Sequence, residues 1–371
     1  MMDLPEELLT EILLHLPVKS LIPLRCVCKS WCALIRSPKF IAIHLSRAKN
    51  NERLLIRNVP LEIDETPPTF LSIHSNLESV RDAPPPDLQP LPFLHNGSSV
   101  QFVCHCNGLV YLNDVNDMYL FNPALREVRL LPPPPCNARP EDFICTEVYE
   151  GLGYDPTTND YKVVILAEYA SSLVDDYTLF KADIYSLSTD SWREIDSMFP
   201  TLARPRFCVL FNGRMHWSGF HRAARERAVL FSFHVSSEVV QEIGVPDALM
   251  VGALVPPRVD VLRESLALIS AWFSGPGEDH IDVWIMDVYG VKESWTKIYS
   301  IGPGIGDPFS LVFWKNEPLI DSSFGQQLIL CPLNASQQLQ TFDVYGGQET
   351  FLDIIVYKES LISIKRTSDH P

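Results

Sequence analysis

The chain has 371 residues, 46% of them hydrophobic and 10% aromatic, enough apolar material for more than one packed core and too much for a disordered polymer. Its formal net charge is -16, which argues against nucleic acid as the main partner, because phosphate is neutralised by a basic face. Residues 1–50 carry seven Lys/Arg and four Asp/Glu, so residues 51–371 hold a net -19.

Asp3, Glu6 and Glu7 open the chain where a secretory leader would be basic and then apolar, and no run approaches roughly 18 uncharged apolar residues. No membrane association is expected. Nine scattered cysteines, an odd number, suit reduced thiols in a cytoplasmic protein, with the nucleus as a second compartment.

Residues 4–45 read as three short amphipathic helices. Pro5 suits a first helical position, and Glu6 and Glu7 place negative charge at the positive dipole end. Leu8, Leu9, Ile12, Leu13 and Leu16 recur at helical spacing until Pro17 stops the run. A second helix is expected from Pro23, with Leu24, Val27, Cys28, Trp31, Leu34 and Ile35 along one side. Ser37-Pro38 closes it and opens a third through Phe40, Ile41 and Leu45. So small a helical unit has little core of its own, so much of its apolar surface is expected to face a partner; the alternative is a subdomain packed only on the rest of the chain.

After Asn50 the texture changes to short β-type runs divided by Pro, Gly, Asn and Asp. They include Ser99–Cys104, Gly108–Leu112, Tyr161–Ala167, Ala182–Ser186, Arg206–Phe211, Ala228–His234, Ser265–Phe273, Asp282–Asp287 and Gln327–Leu330. The proline tracts Pro84–Pro86 and Pro132–Pro135 read as stiff surface connections. A weak repeat runs through this part, a large apolar residue with an aliphatic three positions on: Val128/Leu131, Trp192/Ile195, Val240/Ile243, Trp295/Ile298 and Phe351/Ile354. The spacing is near that of four-stranded propeller blades, each of which needs neighbours to bury both faces. The expected architecture is therefore a small all-α unit over 1–50, then an all-β domain over 51–371. That domain reads as a β-propeller of about six blades, closed by Asp353–Ile364 pairing with the first strand. A β-sandwich is the competing reading.

Catalytic constellations are missing. There is no G-x-S-x-G, no H-E-x-x-H and no phosphate loop; in Gly302-Pro303-Gly304-Ile305-Gly306 the required last glycine is lacking and Pro308 follows. Cys104-His105-Cys106 and Cys26/Cys28/Cys32 lack the second ligand pair of a structural zinc site and read as small buried thiols. His216-Trp217 reads as a packed strand pair. The acidic pairs Asp175-Asp176 and Glu278-Asp279 sit in polar loops, where a binding rim is the one functional use worth keeping. No metal, no cofactor and no enzymatic activity are expected.

Residues 4–45, with their opening Leu-Pro-Glu, the turn Leu16-Pro17-Val18-Lys19-Ser20-Leu21 and the run Cys26-Val27-Cys28-Lys29-Ser30-Trp31, resemble an F-box of the plant type. The stretches CNGLV (106–110), FNPALREVRLLP (121–132), GYDPTTNDYKVV (153–164), LSTDSWREI (187–195), VWIMDVYGVKESWTK (283–297) and IVYKESLISI (355–364) resemble the plant F-box-associated domain, and within it the S-locus F-box proteins and their relatives. The kelch double glycine is missing. The resemblance implies a non-catalytic substrate-recognition subunit that docks on a Skp-type adaptor and through it reaches cullin and a RING subunit. It makes Leu4, Pro5, Ile12, Leu16, Pro17, Leu21, Leu24, Val27, Trp31, Leu34 and Ile35 candidates for adaptor contact or F-box core. It also implies a protein target. For the S-locus branch this is a basic S-ribonuclease in pollen; for other plant F-box proteins it is a different target, in development or stress. Independently of the resemblance, the net -19 of residues 51–371 points to a basic target, with the loop acids Asp175, Asp176, Glu278 and Asp279 as steering acids.

Overall fold

A computed structural model describes residues 5–47, 52–60, 70–82, 101–114, 117–135, 142–174, 178–195, 202–203, 208–221, 224–249, 256–272, 280–302, 310–322, 327–332, 338–345 and 350–365. The N-terminal unit has four helices, not three: α1 (Glu6–Leu14), α2 (Val18–Leu24), α3 (Lys29–Arg36) and α4 (Pro38–Arg47). The difference lies at Pro23, which closes a helix instead of opening one. The amides of Arg25, Cys26 and Val27 turn back onto the carbonyls of Ile22, Pro23 and Leu24 in three-residue steps of 3.0–3.3 Å, and Cys28 is fully extended ahead of α3. The apolar stripe from Leu24 to Ile35 therefore bends round a corner, leaving Val27 at its apex in solvent. Ser37 caps α4 as its side chain accepts from the Phe40 amide at 3.2 Å, with Pro38 just inside the helix.

The chain then enters β1 (Glu52–Pro60) and β2 (Phe70–His74), which pair with each other. The strands β3 (Gln101–Cys106), β4 (Leu109–Asn113), β5 (Met118–Asn122) and β6 (Glu127–Leu130) form the next sheet in simple order. So do β7 (Phe143–Asp155), β8 (Asp160–Ser171), β9 (Thr178–Ser186) and β10 (Ser191–Glu194). In the following sheet β11 (Leu202–Ala203) and β12 (Val209–Phe211) both pair with β13 (Arg214–His221), ahead of β14 (Ala224–His234) and β15 (Val240–Ile243). Two more four-stranded sheets follow: β16 (Arg258–Leu262), β17 (Ser265–Trp272), β18 (His280–Met286) and β19 (Trp295–Ile301), then β20 (Val312–Trp314), β21 (Glu317–Ser322), β22 (Gln327–Leu330) and β23 (Gln340–Asp343). Finally β24 (Thr350–Lys358) returns to β1, with Leu55 opposite Ile355 and Arg57 opposite Asp353. Six sheets closed by the two ends of the domain make a six-bladed propeller. Closure supplies the first blade with its inner strand, so β1 is paired on both sides, by β2 and by β24.

Each of the nine strand-like runs overlaps a strand among the described residues. The runs that went unread are informative: β7 carries Gly151 and Gly153, and β21 carries Pro318, residues that weaken a strand signal locally. At Gly151 a side chain would stand 2.7 Å from the Trp217 ring and 2.8 Å from the Cys208 and Met215 sulfurs, so interblade packing has selected the glycine.

Four of the five repeat anchors share one place. Val128, Trp192, Val240 and Trp295 lie on β6, β10, β15 and β19, each the outermost strand of its blade. The two indoles do the same work: Trp192 Nε1 donates to the Pro132 carbonyl at 2.6 Å and Trp295 Nε1 to the Gly244 carbonyl at 2.8 Å, each just beyond the outer strand of the preceding blade. The fifth pair, Phe351/Ile354, is different. It lies on β24, the strand of the closing blade that stands beside β3 and β20 near the axis, and Phe342 on β23, half-buried against the core, holds the outer position. Phe342 is followed three residues on by Tyr345 and not by an aliphatic, so the pattern skipped it. Because each indole replaces water at a carbonyl between blades, Trp192→Phe and Trp295→Phe are each expected to lose about 1 kcal/mol in urea denaturation. Unchanged midpoints in both would show that these bonds contribute nothing.

Candidate functional site

The helical unit sorts the residues that sequence had grouped. Leu21 and Ile35 are fully buried in its core with Leu13, Leu14, Val18 and Phe40. Leu16, Leu24, Trp31 and Leu34 are half-buried against that core. Pro5 and Pro17 are exposed, and Ile12 and Val27 keep 53% and 59% of their surface open. Leu4 lies outside the described residues. One exposed residue was not on the candidate list: Leu8, 54% open and one helical turn from Ile12, a spacing already present in the sequence. His44 was not foreseen either; it is buried, with Nε2 2.9 Å from the Leu16 carbonyl.

The opposite side of the helical core is covered by the propeller. Ala124, between β5 and β6, and Leu361, beyond β24, are buried in the same cluster as Leu13, Leu14 and Phe40. This fixes which propeller face is which. Asn107, in the β3–β4 turn, donates to the Tyr161 hydroxyl at 3.3 Å, and Lys162 and Asp155 at the next hairpin reach Val235 and Ser236 beyond β14. These turns share the helical unit's face. The strand ends Ser171, Thr178, Trp272 and His280 are one strand length away, on the face that points away from it. Ile144, Leu173 and Val174 are exposed there, at 52%, 73% and 57%. Asp175, Asp176, Glu278 and Asp279 lie outside the described residues.

Between the faces, β3, β12, β16, β20 and β24 surround a cavity of about 930 Å³, with Leu45 and Ser46 of α4 also on its wall. Two arginine–carboxylate pairs lie on its wall. Arg57 donates to Asp353 at 3.1 Å, the same carboxylate accepts the Phe102 amide at 3.1 Å, and Arg258 stands 3.6 Å from Asp260. Burial pushes the Asp353 carboxyl up while Arg57 pulls it down. Burial likewise pushes the Asp260 carboxyl up while Arg258 pulls it down, so both arginine–carboxylate pairs serve to hold the inner strands together.

The other chemically suggestive groups are structural. His216 is fully buried, 3.3 Å from the Val209 carbonyl and 2.8 Å from the Tyr289 hydroxyl, and burial holds its pKa at about 4, so it is neutral at pH 7. Cys104 and Cys106 are buried as expected, and the Cys104 sulfur accepts the Leu152 amide at 3.0 Å. Cys26 and Cys28 contradict the buried-thiol reading: both are exposed, and Cys32 is half-buried, because the corner after α2 carries them outward. Among the described residues no group of three His, Cys, Asp or Glu side chains could hold a metal, and no described helix is long and apolar enough to cross a membrane.

With helical unit and propeller in place, the comparisons with known proteins are decisive. Residues 1–42 match the F-box domain and residues 69–364 match the F-box associated beta propeller domain. The chain belongs to the F-box proteins that carry this propeller. F-box protein CPR1 of Arabidopsis thaliana is 26% identical over 328 residues, 81% of this chain and 73% of that protein. F-box/kelch-repeat protein At3g23880 of the same plant is 28% identical over 334 residues, 86% and 84%. Among solved structures, an α-L-arabinofuranosidase from Lactobacillus brevis aligns over 69% of this chain and 89% of its own at 11% identity and a TM-score of 0.35, too low to carry any argument. Family membership makes this F-box protein a non-catalytic adaptor whose F-box docks on a Skp-type protein.

Proposed function

We propose that this F-box protein is the substrate receptor of an SCF ubiquitin ligase, with Leu8, Ile12 and Val27 central to the adaptor-facing surface and the propeller face away from the F-box holding a protein target. One observation carries the reading. Among its described residues, the F-box buries or half-buries its other large apolar side chains against its own core and the propeller, yet leaves these three more than half exposed, and exposed aliphatics on so small a unit call for a cover. Because they are exposed, they can be changed without opening the core, unlike the half-buried Leu16 and Trp31. Leu8→Ala with Ile12→Ala is expected to lower adaptor recovery in a pull-down at least about tenfold, since truncated hot-spot anchors typically cost about 2 kcal/mol. Full recovery by the double variant would remove the proposal.

The finer reading is an S-locus-type pollen protein, acting in the cytoplasm on basic S-ribonucleases. It is supported by the six stretches of resemblance and by the net -19 of residues 51–371, a field that would speed encounter with a cationic protein. The alternative, a plant F-box protein with another target, is favoured by the Arabidopsis relatives, which are F-box proteins at 26–28% identity over 81–86% of this chain. Transcript confined to pollen would support the first; broad leaf or root expression would exclude it. Under the first reading, association with a basic ribonuclease slows as salt rises from low to physiological strength. It also slows at low salt when Asp175, Asp176, Glu278 and Asp279 become Asn or Gln. Rates indifferent to both changes would remove charge steering.

A further inference from the structure

We infer that the segment Glu359–Ile364 is a positioning element: it is the wedge that holds the F-box at one fixed orientation on the propeller, with Asn122 as its central fastening. Only four residues separate the end of α4 at Arg47 from the start of β1 at Glu52, so no folded module stands between the two domains. Pairs of domains joined in this way move relative to one another unless their interface is large and apolar. Here the interface is completed by a third piece of chain.

After β24 the chain crosses the end of the β3–β6 blade. Its side chains go two ways. Leu361 enters the F-box core, packed in one cluster with Leu13, Leu14, Val18, Leu21, Ile35 and Phe40, while Ile364 enters the propeller's largest core. Asn122, fully buried at the end of β5, secures the backbone between them. Its Nδ2 donates to the carbonyls of Ile362 at 2.7 Å and Ser360 at 3.2 Å, and its Oδ1 accepts the amides of Ala124 at 3.0 Å and Leu125 at 3.1 Å. Both donors and both acceptor positions of one amide are thus used, which few other side chains could reproduce. The same Asn shapes the turn whose Ala124 and Leu125 meet the F-box and grips the segment whose Leu361 enters it. Glu127 accepts from the Ser363 hydroxyl at 2.8 Å and the Ile364 amide at 2.9 Å, and Arg129 donates to the Ile364 carbonyl at 3.2 Å. Across the joint, burial and the nearby Arg36 lower the pKa of Arg25 at α2's end, and Glu127 opposes that shift.

The inference rests on the receptor reading for its purpose: a fixed F-box sets where a bound target stands relative to the ligase, and misplacement lowers the effective concentration of the target lysine. Its test does not depend on that reading. Spin labels on the F-box at Lys29 and on the propeller at Lys315, both exposed positions, report the interdomain distance in the full chain without adaptor or target. Wild type is expected to give one narrow distribution. Asn122→Ala and, separately, Leu361→Ser are expected to make it roughly twice as wide or more, while the propeller's own melting transition is retained and Leu361→Met restores the narrow form. Should Asn122→Ala not fold, Leu361→Ser and Glu127→Gln give the same decision. Narrow distributions in every folded variant would overturn the inference, whereas loss of adaptor binding in wild type would overturn only the receptor reading.

Discussion

Replacing Asp155 by alanine is expected to lower stability at pH 7 by about 3 kcal/mol, the scale for leaving a buried ionic partner uncompensated. The carboxylate sits at the end of β7, 1% exposed, and gathers five hydrogen bonds. It accepts from Thr157 N at 2.9 Å, Thr157 Oγ1 at 2.6 Å, Thr158 Oγ1 at 2.9 Å and Lys162 Nζ at 2.6 Å within its own hairpin, and from Ser236 Oγ at 2.5 Å in the next blade. Burial alone would raise its pKa, but the bonds from Lys162, Ser236 and the two threonines prevail and hold it well below the usual carboxylate range. The sign follows from linkage: a group whose pKa is depressed on folding contributes fully above its unfolded value, near about 3.9, and loses that contribution as pH falls toward the folded one. The stability gap between wild type and Asp155→Asn, measured by urea titration, should therefore be constant from pH 7 to about pH 5 and narrow below about pH 4. A gap that stayed constant into that acid range would show that the charge of Asp155 is not what matters.

Gly108→Ala is the second large effect expected, a loss of about 3 kcal/mol with partial release of the segment beyond β24. Two costs combine. The residue has φ of +84°, where a side chain is strained by about 1–2 kcal/mol. An added Cβ would also collide with the Lys358 carbonyl oxygen and stand 2.7 Å from Ser360, and overpacking against backbone typically adds about 1–3 kcal/mol. Gly213→Ala separates the two, since Gly213 has φ of +69° with nothing within 4 Å of the new methyl. It should show the strain alone, about 1 kcal/mol. Equal losses at the two glycines would mean that the contact with the segment costs nothing.

Much of the F-box protein was legible because its signals are local. Helical spacing before Pro17, the Ser37-Pro38 boundary and the alternating runs of the propeller report neighbours a few residues apart, and those neighbours meet whatever the rest of the chain does. The anchors Trp192 and Trp295 were legible for a related reason, since each blade solves the same packing problem and reuses the same residue type. Phe351 was misplaced because one aromatic and an aliphatic three residues on do not distinguish an inner strand from an outer one. Val27 and Trp31 looked alike on a helical stripe, and only the corner after Pro23 sent one to solvent and the other inward.

The amino-acid sequence by itself determined the two-part organisation, the F-box and the all-β module of repeated blades, because helix periodicity, turn residues and repeat spacing are properties of short stretches. It also determined the acidity of the larger module. Only the tertiary structure decided which F-box residues are core and which are surface, that Gly151 makes room for Trp217, and that Asn122 grips a segment 238–240 positions further on. These depend on surfaces brought together by ring closure, and a chain read in order contains no record of the distance across a ring until the ring has formed.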